Sequence, residues 1–315
     1  MLNRSKLLFL ITITLLALGS SLVMQGQQTA PVSSGVLWEP VDISTRDLRL
    51  GPGGRAMQPS LRRVTFLRKD TGGNNPKYRI RDASGHEWVA KVADESQAEV
   101  AAVRLLWGIG YKTEINYIAP QLRIPRVGVF RNASLEARPA NHDRGERWKW
   151  DDNPFNGSNE MAGLRIMMAM INNWDLKDGN NIILKTPDGV HYVISDLGSS
   201  FGKPPVSSKF ILNRVGRSVN DPQDYVRSDF IKGAREGEID FAYKGKGVGL
   251  LEGITLEQGR WLADLLLQLS DRQIADAFRA ANYRPAEVRA LSGEFRSRIN
   301  DLDRITRRTV AKVSF

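Results

Sequence analysis

The chain has no cysteine among its 315 residues. That absence excludes a disulfide framework, a thiolate metal site and lipid attachment at a lipobox. Histidine is nearly as scarce: His86, His142 and His191 are scattered, with no His-x-x-x-His or equivalent metal spacing. No Gly-x-Ser-x-Gly occurs, and Gly198-Ser199-Ser200-Phe201-Gly202 lacks the spacing of a nucleophile elbow. Hydrolase chemistry of either kind is therefore set aside. There is no internal repeat, and 41% hydrophobic with 25% charged residues is ordinary globular composition, which argues against disorder.

Asn3-Arg4-Ser5-Lys6 followed by Leu7 to Leu18 without a charge is a basic segment plus an apolar core of signal-peptide length. The uncharged run continues to Met24 and beyond, so residues 1–24 are expected to be a signal peptide or an uncleaved anchor. Either way, Arg4 and Lys6 leave the bulk of the chain on the outer side of an inner membrane, periplasmic or secreted. Residues 25–60, with Gly51-Pro52-Gly53-Gly54, read as a linker and N-terminal extension. The remaining 61–315 suffices for one bilobal domain. The formal charge of +10 falls to about +8 if Arg4 and Lys6 leave, which suits anionic partners such as nucleotide or an anionic envelope surface. The export signal disfavours nucleic acid. Arg304 to Arg308 reads as a solvated helix end.

The stretch from Ile171 to Gly202 carries the chemistry. It holds Asp175-x-Lys177-x-x-Asn180 and then, after a short apolar strand, Asp196-Leu197-Gly198. Phosphoryl transfer spreads negative charge over the transferred group, so a site needs carboxylate and amide oxygens for Mg²⁺ and a second carboxylate beside the attacking hydroxyl. The five-residue step from Asp175 to Asn180 lets a tight loop aim the first at an acceptor and the second at the metal, with Gly179 available for an unusual backbone angle. Two strands, Asn181 to Lys185 and His191 to Ser195, flank a Thr-Pro-Asp-Gly turn, and that hairpin returns Asp196 to Asn180.

Asn173-Trp174-Asp175-Leu176-Lys177-Asp178-Gly179-Asn180 and Asp196-Leu197-Gly198 resemble the catalytic and metal loops of the protein-kinase-like superfamily. Asn173 and Trp174 stand where His-Arg is usual, Leu197 where Phe is, and no Ala-Pro-Glu follows. These departures point to atypical branches, such as toxin-type, phosphoinositide and secretory-pathway kinases. The resemblance implies an α+β, bilobal fold: a small antiparallel-sheet first lobe with one helix (61–120) and a mainly helical second lobe (121–315). It also implies a lysine on a strand that holds the nucleotide phosphates and a glutamate on the next helix that orients it. Val89-Ala90-Lys91-Val92 lies on an expected strand, His86 to Val92. Glu99 lies on an expected helix, Glu95 to Trp107, with Glu95 as a weaker candidate for the same ion pair.

Before that strand, the Gly72-Gly73 loop joins Val64 to Leu67 with Lys77 to Arg81, where kinases cover the phosphates. Adjacent glycines can form an anion-binding nest or simply a hairpin turn. Tyr117 to Pro120 is the expected crossover between lobes.

The implied roles are Lys91, Glu99, Gly72 and Gly73 around ATP, Asp175 as base or hydroxyl-orienting group, Lys177 on the transferred phosphate, and Asn180 and Asp196 on Mg²⁺. Asp178 replaces Asp175 if the loop is offset. The acceptor is an unspecified hydroxyl. A pseudokinase that binds without transferring is the alternative, since periplasms are poor in ATP. AMP transfer by the same site is another.

Expected helices also include Met161 to Ile171, either a buried helix delivering the loop or a Met-rich binding surface, and one starting at Thr255. Ser270-Asp271-Arg272-Gln273 resembles a capping box before Ile274 to Ala281, and Pro285 to Leu302 is the last helix. An aromatic insertion spans Arg144 to Asn159. A Gly-, Ser- and charge-rich segment, Lys203 to Gly249, sits in the place of an activation segment.

Overall fold

In strand β3 (Glu87–Lys91) the period of two divides the side chains between two faces: Trp88 and Ala90 join one apolar layer, while Val89 and Lys91 face the other way. A computed structural model describes residues 35–71, 75–205 and 216–310, with side chains to residue 307. Residues 1–24, read as a signal peptide or anchor, and Gly72-Gly73 lie outside the described residues. β3 is central in a five-stranded antiparallel sheet with β1 (Thr65–Asp70), β2 (Lys77–Arg81), β4 (Asn116–Ile124) and β5 (Gly128–Ala137), in the order β1-β2-β3-β5-β4. Trp88, Ile80, Leu122, Leu135 and Tyr117 fill one face, covered by Met57 and Leu61. Helix α1 (Ser96–Gly108) packs on the face bearing Lys91.

Tyr117–Pro120, expected as the crossover, lies within β4 and pairs with β5, with Tyr117 opposite Leu135 and Ala119 opposite Ala133. The physical reason is a hairpin: Arg126 and Gly128 adopt positive φ and turn the chain back, so β5 takes the place between β3 and β4 and the sheet ends only at Ala137.

Beyond the sheet come β6 (Asp143–Arg144), α2 (Asn159–Met170), and β7 (Asn181–Thr186) with β8 (Gly189–Ile194), which form the expected hairpin across the Thr186-Pro187-Asp188-Gly189 turn. There follow α3 (Pro222–Val226), a hairpin of β9 (Ile231–Arg235) and β10 (Glu238–Phe241), then α4 (Leu256–Leu266), α5 (Asp271–Ala280) and α6 (Pro285–Val310). Thr255 with Gln258 and Ser270 with Gln273 form capping boxes at α4 and α5. The fold is α+β and bilobal, with the kinase-like order of a sheet carrying one helix followed by a mainly helical lobe. Among the described residues no helix is long and apolar enough to cross a membrane.

α2 is buried nearly all round, with Ile166, Met167, Met168 and Met170 at zero exposure, so the methionines are core. The larger core also contains Leu37, Ile43 and Leu48, from the segment read as a linker. Leu48 packs against Gly108 at the end of α1, and Gln273 at the start of α5 donates to the carbonyls of Ile43 (2.7 Å) and Arg46 (3.0 Å). Residues 35–50 are a packed strap. Composition concealed this because the Gln-, Ser-, Gly- and Pro-rich stretches on either side of it mask its own Leu37, Trp38, Val41, Ile43 and Leu48. Gly51 is one requirement of it: at φ +72° it lets the buried Arg104 pass, and a Cβ there would fall 2.1 Å from the guanidinium.

Candidate active site

Lys91, on the helix-facing side of β3, forms a buried ion pair with Glu99 on α1. Glu99 also accepts a hydrogen bond from Ser134 of β5 (2.9 Å). A second carboxylate, Glu136 of β5, lies 3.3 Å from the Lys91 ammonium. Burial opposes the charge on Lys91, but Glu99, Glu136 and Asp196 outweigh it and hold the ammonium well above its ordinary value. Burial, reinforced by Asp196 against the pull of Lys91, pushes Glu99 up to about 7. One ammonium thus stands among three carboxylates. Glu95, the weaker candidate, does not pair with Lys91. It accepts from Asn75 (2.6 Å) and lies against Gly198, where a Cβ would come within 2.9 Å of the Glu95 side chain. Burial and Asp196 raise its pKa as well.

The opposite wall is the loop after α2. Asn172 turns the chain at φ +52°, Asn173 accepts from the Asp175 N–H (3.1 Å), and the Trp174 N–H donates to the Ser199 carbonyl (3.2 Å). Asn180 donates to the Asp175 carbonyl (2.8 Å), and the Ser195 N–H donates to the Asn180 carbonyl (2.7 Å), which sets Asp196 beside Asn180. The structure thus brings Lys91, Glu99, Asn180 and Asp196 into one cleft with Asp175 on the same loop. Asp178 accepts from the Trp150 N–H (3.1 Å) and is exposed, so it anchors the aromatic insertion instead of replacing Asp175. Gly179 has no positive φ and open space around it, so the expected special backbone angle is not used: a 3₁₀ turn from Asp178 to Asn180 makes the bend with ordinary dihedrals. Trp148 and Trp150 are buried against each other at 5.1 Å, pinning the insertion to the body.

Three sets of residues lay beyond sequence reasoning. Lys246, from the stretch between β10 and α4, places its ammonium 2.6 Å from Asp175 Oδ1, while Lys177 lies 2.6 Å from Oδ2. Burial would raise the Asp175 carboxyl, but these two hydrogen bonds outweigh it and lower its pKa. Glu114, Arg138 and Arg144 surround Glu136, with Arg144 also 2.5 Å from Glu114 and its guanidinium donating to Ser195 (3.2 Å). Burial and Glu136 push Glu114 well above the carboxylate range, whereas Lys91, Arg138 and Arg144 overcome burial and hold Glu136 well below it, so the two titrate as a pair. Finally Arg298 of α6, 1% exposed, donates to the carbonyls of Met170 (2.9 Å), Tyr225 (3.0 Å) and Ser228 (2.8 Å) and to Asn172 Oδ1 (3.0 Å). It braces the loop from behind. No motif signals a buried arginine 126 residues downstream.

The donor set suits a hard divalent cation: Asp196 and the Asn180 amide are oxygen ligands, and the local excess of carboxylates over ammonium is a charge such an ion relieves. Among the described residues no three His, Asp or Glu side chains are grouped to hold a metal by themselves.

No family model matches the chain, and no curated protein matches it. Among solved structures, the proinflammatory kinase CtkA of Helicobacter pylori superimposes with a TM-score of 0.47 at 9% identity, covering 80% of this chain and 98% of that one. At that score the likeness adds no weight beyond the geometry above.

Proposed function

We propose that the protein is an exported, atypical kinase-like phosphotransferase that moves the γ-phosphate of ATP to a hydroxyl acceptor. The observation that carries this reading is the buried Lys91–Glu99 pair facing Asp196 across the cleft, with Asn180 alongside. Packing alone does not call for a buried lysine among three carboxylates, because desolvating each ion costs several kcal/mol that its pairing only offsets.

In this reading Lys91 holds the nucleotide phosphates and Glu99 keeps its side chain extended toward them. Asn180 and Asp196 hold Mg²⁺, which neutralises phosphate charge when bound. Asp175 receives or orients the acceptor hydroxyl, and Lys177 steadies the transferred group. The fold then does little covalent chemistry. It positions, neutralises and excludes water. The same reading assigns Gly72 and Gly73 to the nucleotide phosphates, as the resemblance implies. The basic leader and the basic mature chain fit a site of action outside the inner membrane, beside anionic partners.

A second reading, nucleotide binding without transfer, is favoured by one contact. Both oxygens of Asp175 are held by ammonium groups, so a hydroxyl must displace Lys246 to reach Oδ1.

The test is Mg²⁺-dependent ATP binding by thermal shift, beside Lys91→Ala and Asp196→Ala. A metal-dependent shift in the parent, lost in both variants, supports the site; a folded protein that no nucleotide stabilises overturns it. If binding is present, γ-labelled ATP with and without Lys246→Ala separates transfer from binding.

A further inference from the structure

A cavity of about 200 Å³ lies behind the chain that leaves β5, away from Lys91, Asp175 and Asp196, none of which lines it. Its wall joins the strap, the turn after α1, residues 137–144 and the tip of the β7–β8 hairpin. Arg46, Lys112, Arg138 and Arg144 line it with Glu39 and Asp188; Lys112 pairs with Glu39 (2.6 Å), Arg138 with Glu136 (2.6 Å), and Arg144 with Glu114 (2.5 Å) and Glu136 (3.1 Å), so among the described residues Arg46 is the cation left without a carboxylate. Glu114 also lines it, 2.5 Å from Arg144, with burial and Glu136 pushing its carboxyl well above the ordinary range. His142 and His191 face the same space, and burial lowers both pKa values, so both are neutral near pH 7. Four cations thus face three acids in the lining.

Two groups there are uncommitted. The Arg46 guanidinium lies 4.4 Å over the Trp107 ring and, among the described residues, has no carboxylate within salt-bridge distance. The Thr113 hydroxyl is buried without a hydrogen-bond partner. Orphaned buried polar groups are rare and costly, and here an orphan donor adjoins a surplus of cations in a formed cavity.

We infer that this cavity binds a small, multiply charged anion, held by Arg46, Lys112 and Arg144 with Thr113 as a further donor. Occupancy reaches the cleft through a short chain of charges. Arg144 bonds Glu136 at 3.1 Å, and Glu136 lies 3.3 Å from Lys91. An anion that draws Arg144 into the cavity loosens its hold on Glu136 and leaves that carboxylate to compete with nucleotide phosphates for Lys91. This second step rests on the proposed function; the binding step does not.

The experiment is a titration of the full-length, ¹³C-histidine-labelled protein with inorganic pyrophosphate, without Mg²⁺ or nucleotide and at constant ionic strength, followed by NMR of the imidazole resonances. The chain has three histidines, two of which line the cavity, so no substitution is needed to localise the effect. The expected result is saturable movement of the His142 and His191 signals with His86 as a stationary reference, an apparent Kd at least tenfold weaker in Arg46→Gln, and persistence of the movement in Lys91→Ala. No movement, equal movement of all three signals, or saturation unchanged by Arg46→Gln overturns the cavity. A chain that fails to bind MgATP yet shows these shifts overturns only the link to the cleft. Pyrophosphate binding lost in Lys91→Ala but intact in Arg46→Gln assigns the anion to the nucleotide cleft and rejects this inference.

Discussion

Replacing Arg298 with Met keeps most of the side chain's volume but removes its donors. The Ser228 carbonyl and Asn172 Oδ1 lose the arginine donor, the Met170 and Tyr225 carbonyls are left with the Tyr225 hydroxyl (2.8 Å) and the Ser228 hydroxyl (2.8 Å), and Glu294, 2.7 Å away, loses its counter-ion. A buried acceptor left unsatisfied costs about 1–3 kcal/mol, and removing one member of a buried pair costs about 3–5 kcal/mol. These costs overlap, because the four acceptors relax together and a desolvated charge is removed, so about 3–5 kcal/mol in all is expected. At roughly 2 °C per kcal/mol for a chain of this size, the melting temperature falls by about 6–10 °C. Arg304→Met, which removes an exposed pair with Asp301, serves as the control and costs under about 1 kcal/mol. Urea unfolding followed by circular dichroism measures both. If Arg298→Met costs no more than Arg304→Met, Arg298 does not brace the loop after α2.

Leu48→Ala removes a fully buried side chain from the strap and should cost about 2–5 kcal/mol by the same assay, while Arg49→Ala next to it, exposed, stays within about 0.5 kcal/mol. Equal effects would return residues 35–50 to the status of a linker. Gly198→Ala places a Cβ 2.9 Å from Glu95 and should cost about 1–3 kcal/mol, recovered in part by adding Glu95→Ala; a harmless single substitution refutes the close approach. Glu99 titrates at about 7 when folded, against 4.5 for the free carboxyl, so the native state binds the extra proton and stability falls as pH rises from about 4.5 to 7. Asp175 and Glu136, whose pKa values are depressed, act in the opposite sense below that window. Glu99→Gln should flatten the decline by roughly 1–3 kcal/mol across the range, and urea midpoints that run parallel in the two proteins would disprove the shift.

The fold class and the grouping of Lys91, Glu99, Asn180 and Asp196 are legible in the sequence because each depends on short-range order. A strand followed by a helix fixes the first pair, and a hairpin fixes the second. Residues that reach the site across the chain leave no such signal. Lys246 meets Asp175 from 71 residues away, and Glu136 meets Lys91 only because β5 inserts between β3 and β4. The crossover was hidden for the same reason. Tyr117 to Pro120 has the composition of a connection, but its position is decided by a pairing partner that comes later in the chain.

The strap sets an order of events during synthesis. Ile43 and Arg46 find their hydrogen-bond partner, Gln273, across separations of 230 and 227 residues. At roughly 5–20 residues per second, a nascent chain exposes Ile43 and Leu48 for roughly 10–50 s before α5 exists to receive them. The larger core therefore closes late, from both ends of the chain at once. Such long-range closure slows folding.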